Sequence, residues 1–313
     1  MIVFFICRIL SAFIVDLIVS MTGRAGYSAY YLSYVVIVLM VYVLPLLVTA
    51  IVFDSFKKYK GKMREMYARP KRLARALGTF PAMYGLGYGL ALLTLLIGHL
   101  ISRLNGGQIF IEDILRPTVI QPPTNLASIL IMVFLLVVIA PIFEEIWTRG
   151  IMYDALKPYG YGVAIVFSSI LFGLMHGSMH MLLYTTAVGF ALGYVRYATD
   201  SLFVVTILHM LFNLVAAGLL FFTSLAEITY GQNRLVNTLL SVYIFAVLIL
   251  ILVGVIAFLT RIPTIRKYRI VRIWQDVSKG RKMALFFSSI PVIIMLIFAI
   301  NEHANNWLLG LIL

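Results

Sequence analysis

About nine apolar runs follow one another along the chain, near residues 2–21, 27–53, 79–101, 125–147, 160–179, 181–197, 202–222, 237–260 and 283–300. Each is close to the roughly 20 helical residues needed to cross a hydrocarbon layer about 30 Å thick. The runs are continuous and lack the alternation of lipid-facing and lumen-facing positions that marks barrel strands, so helices are expected. The pattern predicts an all-α polytopic integral membrane bundle, about nine transmembrane helices in a single unit over residues 1–313. The first run carries Arg8 and Asp16, and no clear small-residue cleavage site follows it, so it reads as a retained helix rather than a removable signal peptide.

Composition agrees with the pattern. The 313 residues are 62% hydrophobic and 12% charged, with a mean hydropathy of +1.02, beyond what the core of a water-soluble domain absorbs. Cys7 is the only cysteine, which excludes an intramolecular disulfide. The net charge of +13 is concentrated beside the membrane helices. One basic stretch, within 54–78, runs from Lys57 to Arg75 against only Asp54 and Glu65; a second, 261–282, is opposed only by Asp276. Both are expected to be cytoplasmic loops, and the even number of predicted helices between them returns the chain to the same side. Basic residues so placed point to anionic lipid rather than nucleic acid, for which no zinc-finger spacing, phosphate-cradling loop or other motif is present.

Ionisable side chains inside a bilayer are costly and need an explanation. Here they cluster between residues 141 and 213. Glu144, Glu145 and Arg149 stand in Pro141-Ile-Phe-Glu-Glu-Ile-Trp-Thr-Arg-Gly150, His176 and His180 in Phe172-Gly-Leu-Met-His-Gly-Ser-Met-His180, and His209 and Asn213 in His209-Met-Leu-Phe-Asn213. Adjacent helical residues point about 100° apart, so Glu144 and Glu145 cannot address the same point. Arg149 follows Glu145 by one turn, in the order that favours an ion pair. That leaves Glu144 to face a cavity, where a partly desolvated carboxylate is suited to proton transfer. His209 and Asn213 share one helix face and can present an imidazole and an amide to one oxygen. A single intramembrane histidine or asparagine is commonly interhelical glue, but this set spans three predicted helices and reads as a built site. His180 falls in or near the turn between the fifth and sixth helices and is the weakest member.

The ordered set Glu144-Glu145-x-x-x-Arg149, Phe172-x-x-x-His176 and His209-x-x-x-Asn213 resembles the CPBP family of intramembrane proteases, the CAAX proteases and bacteriocin-processing enzymes also called Abi. The resemblance covers residues 141–217, inside an expected core at 125–222. It implies that Glu144 and His176 activate a water and that His209 and Asn213 form the oxyanion hole, with Glu145, Arg149 and Phe172 in support. It implies peptide hydrolysis of a membrane-associated substrate such as a prenylated CAAX protein or a bacteriocin-like peptide. No cofactor is required by this scheme, although the family was long described as metalloproteases and Glu144, His176 and His209 are three residue types that ligate Zn²⁺. Thr148 departs from the family, which commonly has an aromatic residue before the arginine, and the departure is expected to affect packing more than chemistry.

Helical rise gives the depths of these groups. If the fourth helix continues to Lys157, Glu144 lies roughly 20 Å from its cytoplasmic end and His209 roughly 12 Å from that of the seventh, with His176 deeper, about 15 residues into the fifth. A broken or tilted helix is then needed to bring them level. Gly85-x-x-x-Gly89 and Gly189-x-x-x-Gly193 are small-residue patterns that allow close helix approach. Two other classes fit part of the pattern: a catalytically silent immunity or scaffold protein, whose mark would be an incomplete motif set, and a transporter, whose mark would be an inverted repeat. The motif set is complete and no such repeat is evident.

Overall fold

The computed structural model describes residues 73–104, 125–176 and 179–267, together with Met66, Tyr67, Gly280 and scattered positions within 7–20 and 33–44. The regular structure of these residues is helical, with no strand among them. A short helical turn, Leu73–Leu77, leads into α1 (Phe80–Leu104). Then come α2 (Leu126–Leu156), α3 (Tyr161–Leu174), α4 (Met179–Thr199), α5 (Leu202–Ile228) and α6 (Arg234–Lys267).

The protein is a helical membrane protein. Leu73–Ile97, Leu126–Leu156, Leu202–Ile228 and Arg234–Thr260 are each long and apolar enough to cross a bilayer, which makes 4 such helices among the described residues. The expected spans at 79–101, 125–147, 181–197, 202–222 and 237–260 all coincide with helices. Those at 2–21 and 27–53 fall mostly outside the described residues, and that at 283–300 falls wholly outside. The two basic loops lie largely there as well.

Local chemistry sets the helix ends. Asn125 caps α2 by accepting from the Ser128 N–H at 2.8 Å, and Ser201 caps α5 by accepting from the Val204 N–H. Gly160, at φ 113°, breaks the chain between α2 and α3 in a conformation that a side chain would strain. The link from α4 to α5 is a tight corner in which Asp200 takes a positive φ of 49°.

α2 is not a uniform α-helix. Its turns at Leu135–Ile139 and Ile146–Met152 are π-helical, with regular helix between them. Pro141 gives a reason for the first, because proline has no N–H and its ring crowds the preceding turn, which widens to relieve it. In that wider register the Ala140 N–H reaches the Leu135 carbonyl. The Leu136 carbonyl then has neither Ala140 nor Pro141 as a backbone donor.

α3 ends sooner than its apolar run. The run predicts helix over 160–179, whereas the helix stops at Leu174 and Met175 and His176 form a turn. Close packing at that end involves Gly173, where an added Cβ would sit 2.1 Å from Thr186 Oγ1 of α4. α4 stays near α3 along its length, with Gly189 against Ser169 and Phe172, and Gly193 against Ile165. Gly85 meets the backbone of Gly254, so both small-residue patterns lie at helix contacts. Buried Tyr84, Leu192, Val205, Leu208 and Phe212 join α1, α4 and α5 into one core.

Candidate active site

Polar side chains of α2 and α5 and the Gly189 carbonyl of α4 come together beside Phe172 of α3. Arg149 and Glu145 are fully buried on α2 and form the expected ion pair, Nη1 to Oε1 at 2.9 Å. Glu145 Oε1 also lies 2.8 Å from His209 Nδ1 of α5. A carboxylate held by a guanidinium can only accept, so His209 donates from Nδ1 and directs Nε2 elsewhere. Nε2 lies 3.8 Å from Glu144 Oε2, close enough for both atoms to address one water. Glu145 is therefore more than the partner of Arg149, since it also orients the imidazole. The spacing in sequence reveals the first role and not the second, because His209 is 64 residues away.

Arg149 is held through both terminal nitrogens, while its buried Nε has no hydrogen-bond partner. Its Nη2 donates to the Gly189 carbonyl of α4 at 2.9 Å, and its guanidinium lies over the Phe172 ring, 4.4 Å from the centroid. Nη1 also donates to Thr148 Oγ1 at 2.6 Å, while the Thr148 hydroxyl donates to the Glu144 carbonyl at 2.6 Å. Thr148 is thus fully buried and joined to the charged groups by hydrogen bonds. These contacts add hydrogen bonds to the packing role expected of Thr148. In the π-helical turn the hydroxyl satisfies a backbone carbonyl, which an aromatic residue would not do.

His176 stands beside the same ring. Its Nδ1 lies 2.8 Å from the Phe172 carbonyl, an acceptor only, so Nδ1 is the donor and Nε2 bears the lone pair in the neutral ring. Phe172 meets His176 edge to face at 4.8 Å and His209 at 5.5 Å. The early end of α3 supplies the break that the depth estimate needs. His176 is in a turn after the helix, not 15 residues into a continuous one, as the apolar run predicts.

Asn213 shares the α5 face of His209 and donates from Nδ2 to the Leu136 carbonyl of α2 at 2.8 Å. That carbonyl is the one the π-helical turn deprives of a backbone donor. Because a carbonyl only accepts, the bond also fixes which end of the amide is nitrogen and leaves Nδ2 one further hydrogen to give. His180 begins α4, and its side chain lies outside what is described.

Buried Arg196 of α4 is an addition that the motifs do not reveal. Its Nε donates to the Arg149 carbonyl at 3.3 Å, its Nη1 pairs with Asp200 Oδ1 at 2.5 Å, and its Nη2 lies 4.0 Å from Asp154 Oδ1. The one available signal is the i,i+4 spacing of Arg196 and Asp200. Met66, from the basic stretch before α1, reaches within 3.6 Å of where a Cβ on Gly150 would sit. Burial pushes the neighbouring Tyr67 phenol above its ordinary range. Among the described residues, no group of three or more His, Cys, Asp or Glu side chains is arranged to hold a metal.

Comparison with known proteins places the same segment in context. The chain is similar to "Putative membrane peptidase YdiL" of Bacillus subtilis (strain 168), with 31% identity over 84 residues, which are 26% of this chain and 34% of that protein. The chain thus spans about a third of the length of the curated relative it matches. No solved structure matches it. Residues 126–215, which hold Glu144, His176, His209 and Asn213, match the family of type II CAAX prenyl endopeptidases described as Rce1-like.

Proposed function

We propose that the chain is an intramembrane endopeptidase of CAAX type, hydrolysing a peptide bond in a membrane-associated substrate. Prenylated CAAX and bacteriocin-like peptides are the substrate classes that the resemblance suggests. The observation that carries the reading is the pairing of Glu144 Oε2 with His209 Nε2 at 3.8 Å inside the Rce1-like segment. Glu144, with His176, takes a proton from water, and the hydroxide attacks the scissile carbonyl carbon. The resulting oxyanion is held by His209 and Asn213, and the proton then passes from Glu144 to the leaving amine. Since His209 gives its Nδ1 hydrogen to Glu145, it donates from Nε2 only when the ring carries both protons. The scheme uses no metal and no nucleophilic serine or cysteine.

The basic loops at 54–78 and 261–282 are proposed to be cytoplasmic, in a cell membrane, with the site opening to that side. The core at 125–222 would then be the catalytic part of an otherwise lipid-embedded bundle. The test compares membrane proteomes of cells carrying the intact protein and cells carrying Glu144→Gln. A peptide released by the first and not the second is expected, with activity on that peptide reduced about 10²–10⁴-fold and the variant inserted normally. Identical peptide pools, or a Glu144→Gln protein as active as the original, would overturn the reading.

A further inference from the structure

Pro141 belongs to the motif that holds the two glutamates, yet it has no part in the proposed chemistry. It is nevertheless placed to control Asn213. The Leu136 carbonyl accepts the Asn213 amide at 2.8 Å, and it does so where the Ala140 N–H has gone to Leu135 and residue 141 has no N–H to give. A carbonyl left without a donor in an apolar helix bundle is costly, so the half-buried Leu136 carbonyl holds to a donor that reaches it. The cross-helix bond thereby fixes both the rotation and the N/O sense of the Asn213 amide. We infer that Pro141 is a positioning residue for Asn213, acting by withholding the backbone hydrogen that would otherwise occupy the Leu136 carbonyl.

This inference rests on the peptidase reading, and it predicts an unusual combination of effects. Proline is the least favourable residue in a helix interior, so Pro141→Ala restores a donor, relaxes the π-helical turn and stabilises the helix. In either register the restored backbone donor takes one of the two acceptor positions of the Leu136 carbonyl, and its hold on the Asn213 amide weakens. The variant is expected to be at least as stable as the original protein and yet to turn over more slowly. A residue with a merely structural role would not separate the two in that direction.

The experiment uses the full chain in lipid nanodiscs, with a farnesylated fluorogenic CAAX peptide as the probe, and measures melting temperature, kcat and KM. Pro141→Ala should keep or raise the melting temperature and lower kcat about tenfold with little change in KM. Asn213→Ala should lower kcat about 10²-fold, and adding Pro141→Ala to it should cost nothing more, because the proline acts only through the amide. Wild-type kcat in Pro141→Ala, a lower melting temperature, or fully additive losses in the double variant would each overturn the inference. Glu144→Gln is run beside them. If it cleaves the probe as well as the original protein does, the peptidase reading has failed. If it is inactive while Pro141→Ala is unimpaired, only the role of the proline has.

Discussion

The contact between α1 and α6 and the contact among α2, α4 and α5 are built from opposite materials. At the first, Gly85 lies on Gly254 so closely that a Cβ on Gly85 would sit 2.1 Å from the Gly254 carbonyl carbon. Aromatic rings fill the space behind it, with Tyr84 4.9 Å from Phe212 and 4.4 Å from Tyr88. At the second, a fully buried guanidinium, carboxylate and hydroxyl are tied to a buried histidine by short hydrogen bonds. Lipid tails are as apolar as the side chains, so helices in a membrane gain little from the hydrophobic effect and associate by close packing or by polar bonds. The α1–α6 seam achieves association by close packing alone. A bundle that needed nothing more than association could have used glycine throughout. The buried charges of α2 and α5 are thus better explained by chemistry than by stability.

The sharpest way to break this comparison is to fill the glycine seam. Gly85→Leu places a side chain where the facing atoms are backbone and cannot yield, so a loss above about 4 kcal/mol, or failure to insert as a single species, is expected. Thermal unfolding in detergent and the yield of monodisperse protein would measure it. A stable, well-behaved variant would show that the two helices do not depend on close approach at this point.

The polar contact is expected to respond differently. Glu145→Gln leaves the Arg149 charge buried without its carboxylate, and Arg149→Met leaves the Glu145 charge without its guanidinium, so each should destabilise by about 3–5 kcal/mol. The double variant removes both charges and should recover most of that loss, while remaining inactive because Glu145 no longer orients His209 as an ion. Stability and peptide cleavage measured on all three variants would separate the roles. Recovery of activity with stability would make the pair structural after all, and additive losses of stability would deny that the two charges compensate each other.

What could be read in advance divides along the same line. The helices over 79–101 and 202–222 are legible because an apolar run of bilayer length has few alternatives, and the Glu145–Arg149 bond is legible because it closes one helical turn. The contacts that complete the site are long-range: His209 to Glu145, Asn213 to Leu136, Arg149 to Gly189. No periodicity encodes these. The early end of α3 was hidden for a related reason, since hydropathy does not distinguish a helix from an apolar turn. Thr148 sits in a π-helical turn and satisfies the Glu144 carbonyl, a bond that no sequence pattern encodes.

The smallest expected effect concerns metal, and it asks what organises the polar contact. A catalytic zinc site takes three protein ligands at about 2.0–2.2 Å, with each histidine turned to the ion by a partner on its other nitrogen. His176 and His209 do have such partners on Nδ1, the Phe172 carbonyl and Glu145. Among the described residues no group of three or more His, Cys, Asp or Glu side chains is placed to hold an ion, and Phe172 meets both rings edge to face. Charge at the site is already arranged by Arg149, which holds Glu145, which in turn holds His209. Prolonged chelation of purified protein should therefore leave cleavage within about twofold of its starting rate, with metal well below one atom per chain. Activity lost to chelator and restored by Zn²⁺, at one metal per chain, would mean that Glu144 and the histidines close on an ion, and that the protein's own charges are not what completes the site.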